Sequence, residues 1–177
     1  TWSKEERDLA EKVFTVLDNM RDIPKIKLHS GQRFWVRNLM FDVLCTHEDI
    51  YPQKLSDYND SCAALMMTAC GTRILIPGDA SALSSRIMEE RYGELLHCDI
   101  AQVAHHGHHG LSKRFYELAR AKVALFPVTQ IKFDEELPRI DANRRILEIA
   151  REYYISSNGT VEIPLPYKEG TIKKLPD

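Results

Sequence analysis

Two short stretches of this chain carry residue types able to do chemistry. In "TRILIPGDAS" an apolar run passes straight into Gly78-Asp79. In "CDIAQVAHHGHHG" another apolar run ends in His105, His106, Gly107, His108, His109 and Gly110. Four of the 7 histidines fall in that second stretch. A carboxylate and neutral imidazoles are the hard and borderline donors that suit Zn²⁺, Mn²⁺ or Fe²⁺. The candidate metal ligands are therefore Asp79 with His105 or His106. Two ligands make an incomplete set, because a catalytic zinc takes three protein ligands and an open position. Each residue also has a plainer reading: Asp79 as the cap of a helix starting near Ser81, and His108 and His109 as solvated loop residues.

The chemistry depends on the elements that would bring these stretches together. "RILIP" and "CDIAQVA" read as strands, with the helical segment "SALSSRIMEERY" between them, its inner face drawn from Ile87, Met88 and Tyr92. If the two strands are parallel neighbours, their C-terminal ends share one edge, and Asp79 meets His105 or His106 there. Downstream, "LSKRFYELARA" reads as a helix capped by Ser112, "KVALFPV" as a strand, and "DANRRILEIARE" as a helix capped by Asp141. "YYIS", the turn "SNG" and "TVEIPLP" read as a closing β-hairpin. Upstream, "SKEERDLAEKVFTVLDNM" has Leu9, Val13, Val16, Leu17 and Met20 at helical intervals, with capping-box spacing from Ser3 to Glu6. "KIKLH" reads as a short strand. "RFWVRNLMFDVLCT" reads as two strands joined at Arg37-Asn38 or one bent strand. "SCAALMMTAC" and "RILIP" read as a hairpin across Gly71-Thr72 with a type II′ turn. Both runs are apolar at almost every position, which predicts cover on both faces. The strand–helix alternation predicts an α/β fold with a mainly parallel sheet and flanking helices.

Other sites are less well supported. His29, His47 and His97 form no HxH or HxxxH pattern: His47 reads as a surface residue, and His97 falls at the wrong end of its strand. GxSxG, P-loop and GxGxxG motifs are absent. Cys45, Cys62, Cys70 and Cys98 form no CxxC pair and read as buried free thiols, although Cys62 or Cys98 stays open as a nucleophile. Asp134, Glu135 and Glu136 read as a solvated acidic loop, and Asn158-Gly159-Thr160 as a turn.

Composition bounds the rest. With 177 residues, 44% hydrophobic and 28% charged, the chain suits one globular domain. A net charge of −2 shows no broad basic field for nucleic acid or an acidic membrane. No apolar run approaches the length that spans a bilayer. Free cysteines without a signal segment predict a cytoplasmic location. Thr1 in place of an initiator Met predicts an excised fragment or processed product.

The order "NDSCAALMMTACGTRILIPGD" then "CDIAQVAHHGHHG", closed by "NRRILEIAREYYISSNGTVEI", resembles the C-terminal half of the metallo-β-lactamase fold, in the subgroup of the ComEC-type hydrolase domains. The resemblance runs from about Lys25 to Pro164. It implies half of an αββα sandwich with a mixed sheet, with 1–24 a connecting helix, 25–166 the half-domain and 167–177 a tail. It matches Asp79 to a bridging carboxylate and His105 or His106 to the last metal-binding histidine, so Asp79 and His106 are the residues expected at the reacting centre. It implies metal-dependent hydrolysis of a phosphoester or similar bond, with nucleic acid a possible substrate and Zn²⁺ (or Mn²⁺ or Fe²⁺) as cofactor. The family's main signature, HxHxDH, is absent from these 177 residues. The chain is accordingly expected to be inactive alone and to partner a missing N-terminal half. The alternative is a non-catalytic module that pairs with itself, as a homodimer, or with another protein.

Overall fold

The structure, a computed structural model, describes residues 4–50, 58–135 and 139–175. Seven strands form one sheet in chain order: β1 (Arg33–Val36), β2 (Leu39–Cys45), β3 (Ala64–Ala69), β4 (Thr72–Ile76), β5 (Ile100–Gln102), β6 (Val123–Phe126) and β7 (Glu152–Ile155). The first four strands pair antiparallel, and β4 to β7 pair parallel. The sheet is therefore mixed, with α2 (Ala82–Tyr92), α3 (Lys113–Ala119), α4 (Gln130–Glu135) and α5 (Asp141–Ile149) on its flank. Each parallel crossover moves one strand further in the same direction. Right-handed crossovers then deposit every helix on one face.

The core confirms that layering. Met66, Leu75, Ala101, Ala124 and Phe126 point to the helix face and are buried with Met88, Phe115, Tyr116 and Ile146. Phe133 of α4 packs edge-on against Phe126, with ring centroids 5.0 Å apart. The registry places Phe41, Leu65, Met67, Ile74, Ile76 and Leu125 on the opposite face. There the expectation of cover on both sides is met only in part: Val43, Ile100 and Val123 are buried, while the six named above are half-buried. The C-terminal segment crosses one end of that face, where the Tyr167 amide donates to Thr72 Oγ1 (2.7 Å). Ile74, Ile76, Gln102, Leu125 and Tyr154 line an open groove of about 480 Å³. These strands are apolar throughout, yet only one of their faces carries a helix layer.

Several local expectations change. The β3–β4 turn is Cys70-Gly71, since Ala69 pairs with Thr72. Both turn residues have positive φ (50° and 79°), the signature of type I′ and not II′. Residues 25–29 form no strand. The β1–β2 hairpin turns at Arg37-Asn38 as read. The closing hairpin is not one: β7 lies parallel to β6, and β8 (Val161–Glu162) pairs with β9 (Lys173–Lys174). Ser156–Asn158 forms a 3₁₀ turn and Gly159 has φ +94°, which redirects the chain after β7. Asp134 and Glu135 end helix α4 rather than lying in a loop, and Glu136 falls outside the described residues. Asp141 is the first helical residue of α5, and Ile140 holds the cap position. Ser112 caps α3 as expected, its Oγ accepting from the Phe115 amide at 3.0 Å. Cys45 and Cys98 are buried, but Cys62 is half-buried and Cys70 exposed. The amphipathic helix α1 (Lys4–Asn19) forms, yet Leu9, Val13, Phe14 and Val16 on it are all more than half exposed. The Ser3–Glu6 capping box lies outside the described residues.

Candidate metal centre

Because β4, β5 and β6 are parallel, the residues after each strand gather at one sheet edge. After β4, Gly78 takes φ +57° and turns the chain, which leaves Asp79 between strand and helix. After β5, the His105 amide donates to the Gly78 carbonyl at 3.1 Å. That backbone bond carries the β4–β5 pairing on into the two loops. Ser81 holds the cap position of α2, and no cap bond from Asp79 is present among the described residues, so the capping explanation of Asp79 does not apply.

The His105-His106-Gly107 backbone is unusual. All three residues are left-handed, with φ of 50°, 56° and 81°. Consecutive non-glycine residues in that region are uncommon and persist where the surroundings over-determine them. Here the surroundings are specific. The His108 amide donates to the His105 carbonyl at 2.8 Å. Asn143, buried in the first turn of α5, donates from Nδ2 to the Gly107 carbonyl. The buried Tyr116 hydroxyl accepts from the Ala104 amide at 3.2 Å. Gly110 folds back so closely that a Cβ there would lie 2.9 Å from the Ala104 Cβ. Glycine is the residue that fits such an approach.

The two histidines are held differently. His106 Nδ1 lies 2.8 Å from the Pro127 carbonyl after β6. A carbonyl only accepts, so Nδ1 carries the proton, and in the neutral ring Nε2 keeps its lone pair. That Nε2 lies 3.7 Å from Asp79 Oδ1. His105 Nε2 instead accepts from Asn59 Nδ2 at 3.1 Å, and its Nδ1 lies 3.5 Å from the His109 carbonyl. His108 stacks edge-on to His105, with centroids 5.8 Å apart. His29 pairs with Glu48, His47 is exposed, and His97 lies at the opposite end of β5. Asn59 and Asn143 are site residues that spacing did not mark. Asn59 opens the "NDSCAALMM" run and Asn143 the "NRRILEIA" run of the resemblance, but neither was given a role there.

The donors pass a simple fit test. Zinc bonds to nitrogen and carboxylate oxygen are about 2.0–2.2 Å, so two donors on one ion lie at most about 4.3 Å apart. The 3.7 Å separation satisfies that limit. His106 and Asp79 are 54% and 35% exposed, leaving room for further ligands from outside. Among the described residues, no group of three or more His, Cys, Asp or Glu gathers to hold a metal ion. Two of the thiols add nothing: burial pushes Cys45 and Cys98 up to about 12, which keeps them protonated and inert. No helix among the described residues is long and apolar enough to cross a membrane.

No protein-family model matches the chain, and no curated protein sequence matches it. Solved structures give weak likenesses. One is a protein from Parabacteroides distasonis assigned as a metal-dependent hydrolase, at TM-score 0.43 and 15% identity, covering 79% of this chain and 61% of that one. Another is the metallo-β-lactamase fold protein YhfI from Bacillus subtilis, at TM-score 0.45 and 12% identity, covering 79% and 58%. The chain spans less than two thirds of either protein. Overlap of that extent establishes no shared activity.

Proposed function

We propose that this chain supplies Asp79 and His106 to the metal centre of a metal-dependent hydrolase of the metallo-β-lactamase type, acting on a phosphoester or similar bond. The observation that carries this reading is the orientation of His106. Its Nδ1–H is committed to the Pro127 carbonyl, so the Nε2 lone pair faces the Asp79 carboxylate. An imidazole fixed through its far nitrogen is how metal-ligating histidines are oriented. His105 is a positioning residue: Asn59 occupies its Nε2, and its amide binds the loop that bears Asp79. A divalent ion, Zn²⁺, Mn²⁺ or Fe²⁺, would supply Lewis acidity against the charge developing on an ester oxygen. Asp79 and His106 would hold that ion at the open sheet edge, and a further segment completes the ligand set. ComEC-like identity, half-domain organisation and inactivity of this chain alone belong to the same proposal.

Zinc titration followed at the histidine ring nitrogens tests it. The expected result is weak binding that moves His106 Nε2 and is lost in Asp79→Ala and in His106→Ala, with no turnover of an activated phosphodiester. Movement of His108 or His109 alone refutes the ligand assignment. Tight stoichiometric zinc with robust turnover refutes the incomplete set.

A second reading rests on the sheet face that carries no helix layer. Among its strand positions only Glu152 is charged, and that carboxylate is tied to Tyr154 and Tyr167. Seven strands about 4.8 Å apart make a face roughly 30 Å wide, near the scale of a standard interface of about 800 Å² per partner. Its occupant in this reading is the same face of a second copy, forming a non-catalytic homodimer. Light scattering decides: a clean monomer at high concentration removes this reading.

A further inference from the structure

Beside the Asp79–His106 edge lies a second groove, of about 480 Å³, whose side chains carry a different chemistry. It runs between Ala82 at the start of α2, the His109–Lys113 segment, and Arg139–Ala142 at the start of α5. Its polar lining includes His109, Lys113, Arg139 and Asp141. Among the described residues Lys113 and Arg139 have no ion-pair partner, whereas Asp141 is paired with Arg144. Glu89 of α2 accepts from the Ser85 and Ser112 hydroxyls and faces Arg114 at 3.7 Å, so it too is occupied. Two cations therefore face the groove against one carboxylate that is already neutralised. The rim is also the positive end of α2 and α5, which adds to the same sign.

Distance links this groove to the proposed metal centre. Ala82 is three residues from Asp79, and His109 three from His106. Consecutive Cα atoms are 3.8 Å apart, so each pair lies within about 11 Å. The buried Asn143 joins the two, since it sits in the first turn of α5 and holds the Gly107 carbonyl.

We infer that this groove binds a phosphate group through Lys113 and Arg139, with His109 at its edge. As part of a substrate site, the inference rests on the hydrolase reading: the groove would hold a phosphate neighbouring the bond under attack. As a binding site for phosphate it stands by itself. Arg offers a planar fork for two phosphate oxygens and Lys a mobile point charge. The phosphate could belong to a mononucleotide or to a nucleic-acid backbone, both of which present the same group.

The test uses the whole chain in chelator, so that metal plays no part. Inorganic phosphate, a nucleoside monophosphate and a short oligothymidylate are titrated while backbone amides are followed by NMR. The expected shifts map to Ala82, His109–Lys113 and Arg139–Ala142. Lys113→Ala with Arg139→Ala is expected to weaken binding about tenfold or more, and Arg139→Lys much less. Tighter binding of the oligonucleotide, with a steeper salt dependence, assigns the phosphate to a nucleic acid. Equal binding of the mononucleotide assigns it to a small molecule. Absent shifts, shifts scattered over all surface lysines, or unchanged affinity in the double variant overturn the inference. If the double variant misfolds, the map on the unaltered chain decides. Because metal is excluded, failure here leaves the zinc titration untouched, and failure of the zinc titration leaves the groove standing.

Discussion

Asn143→Ala isolates the contact that holds the histidine loop against the helix layer. Asn143 is 1% exposed, and its Nδ2 donates to the carbonyl of Gly107, which is also buried. Alanine removes the donor and leaves a buried carbonyl without it, at a cost of about 1–3 kcal/mol. Because three consecutive left-handed residues precede and include that carbonyl, the upper half of the range is expected. A loss of about 2 kcal/mol in a domain of this size lowers Tm by roughly 4–8 °C. With a urea m-value near 2 kcal/mol/M, the midpoint falls by about 1 M and m stays constant. The assay is urea denaturation followed by tryptophan fluorescence and far-UV circular dichroism, with the amide spectrum of His105–Gly110 recorded on the folded variant. The largest shift changes should fall on that loop, and zinc-induced movement of His106 should weaken with them. A midpoint within about 0.2 M of the unaltered protein, with the loop resonances unmoved, refutes the idea that α5 fixes the site.

Gly110→Ala should destabilise by about 1–3 kcal/mol, since its Cβ meets the Ala104 side chain at 2.9 Å and the Ala104 carbonyl oxygen at 3.1 Å; thermal unfolding measures it. Stability should fall as pH drops below about 4 in part through Asp49. Burial pushes that carboxyl up, but the Ser30 hydroxyl, the Thr46 amide and the Arg91 guanidinium outweigh it and hold it below the usual carboxylate range. A group depressed in the folded state contributes stability above its unfolded pKa and loses it as pH falls through the folded one. Asp49→Asn should flatten that acid-side slope in denaturation curves measured from pH 6 to pH 2. Thiol alkylation should modify Cys70 first in the native protein, with Cys45 and Cys98 reacting only on unfolding; early labelling of Cys98 would contradict its burial.

Much of this architecture was legible in the chain. Apolar runs bounded by Gly and Pro marked β3 to β6, helical spacing marked α2, α3 and α5, and the strand–helix rhythm implied a parallel segment. The edge shared by Asp79 and His105 or His106 followed from that rhythm, because parallel neighbours end on the same side. What the spacing missed had a physical reason in each case. The turn type at Cys70-Gly71 depends on which residues pair, and Ala69 opposite Thr72 moved the turn by one position. Strand β7 took the parallel edge of β6 over a hairpin with the segment that follows it.

The sequence by itself determined that a carboxylate and a histidine pair each follow an apolar strand, with one helix between them; that the two strands are parallel neighbours was a condition, which the sheet order meets. Only the tertiary structure decided between His105 and His106 as the histidine facing Asp79. That choice turns on the Pro127 carbonyl and the Asn59 amide, which come from segments far along the chain and meet the rings only when the sheet is assembled. The same holds for the sheet face without a helix layer: an apolar strand reads alike whether helices cover one side or both, and the common hand of the crossovers put α2 to α5 on one side.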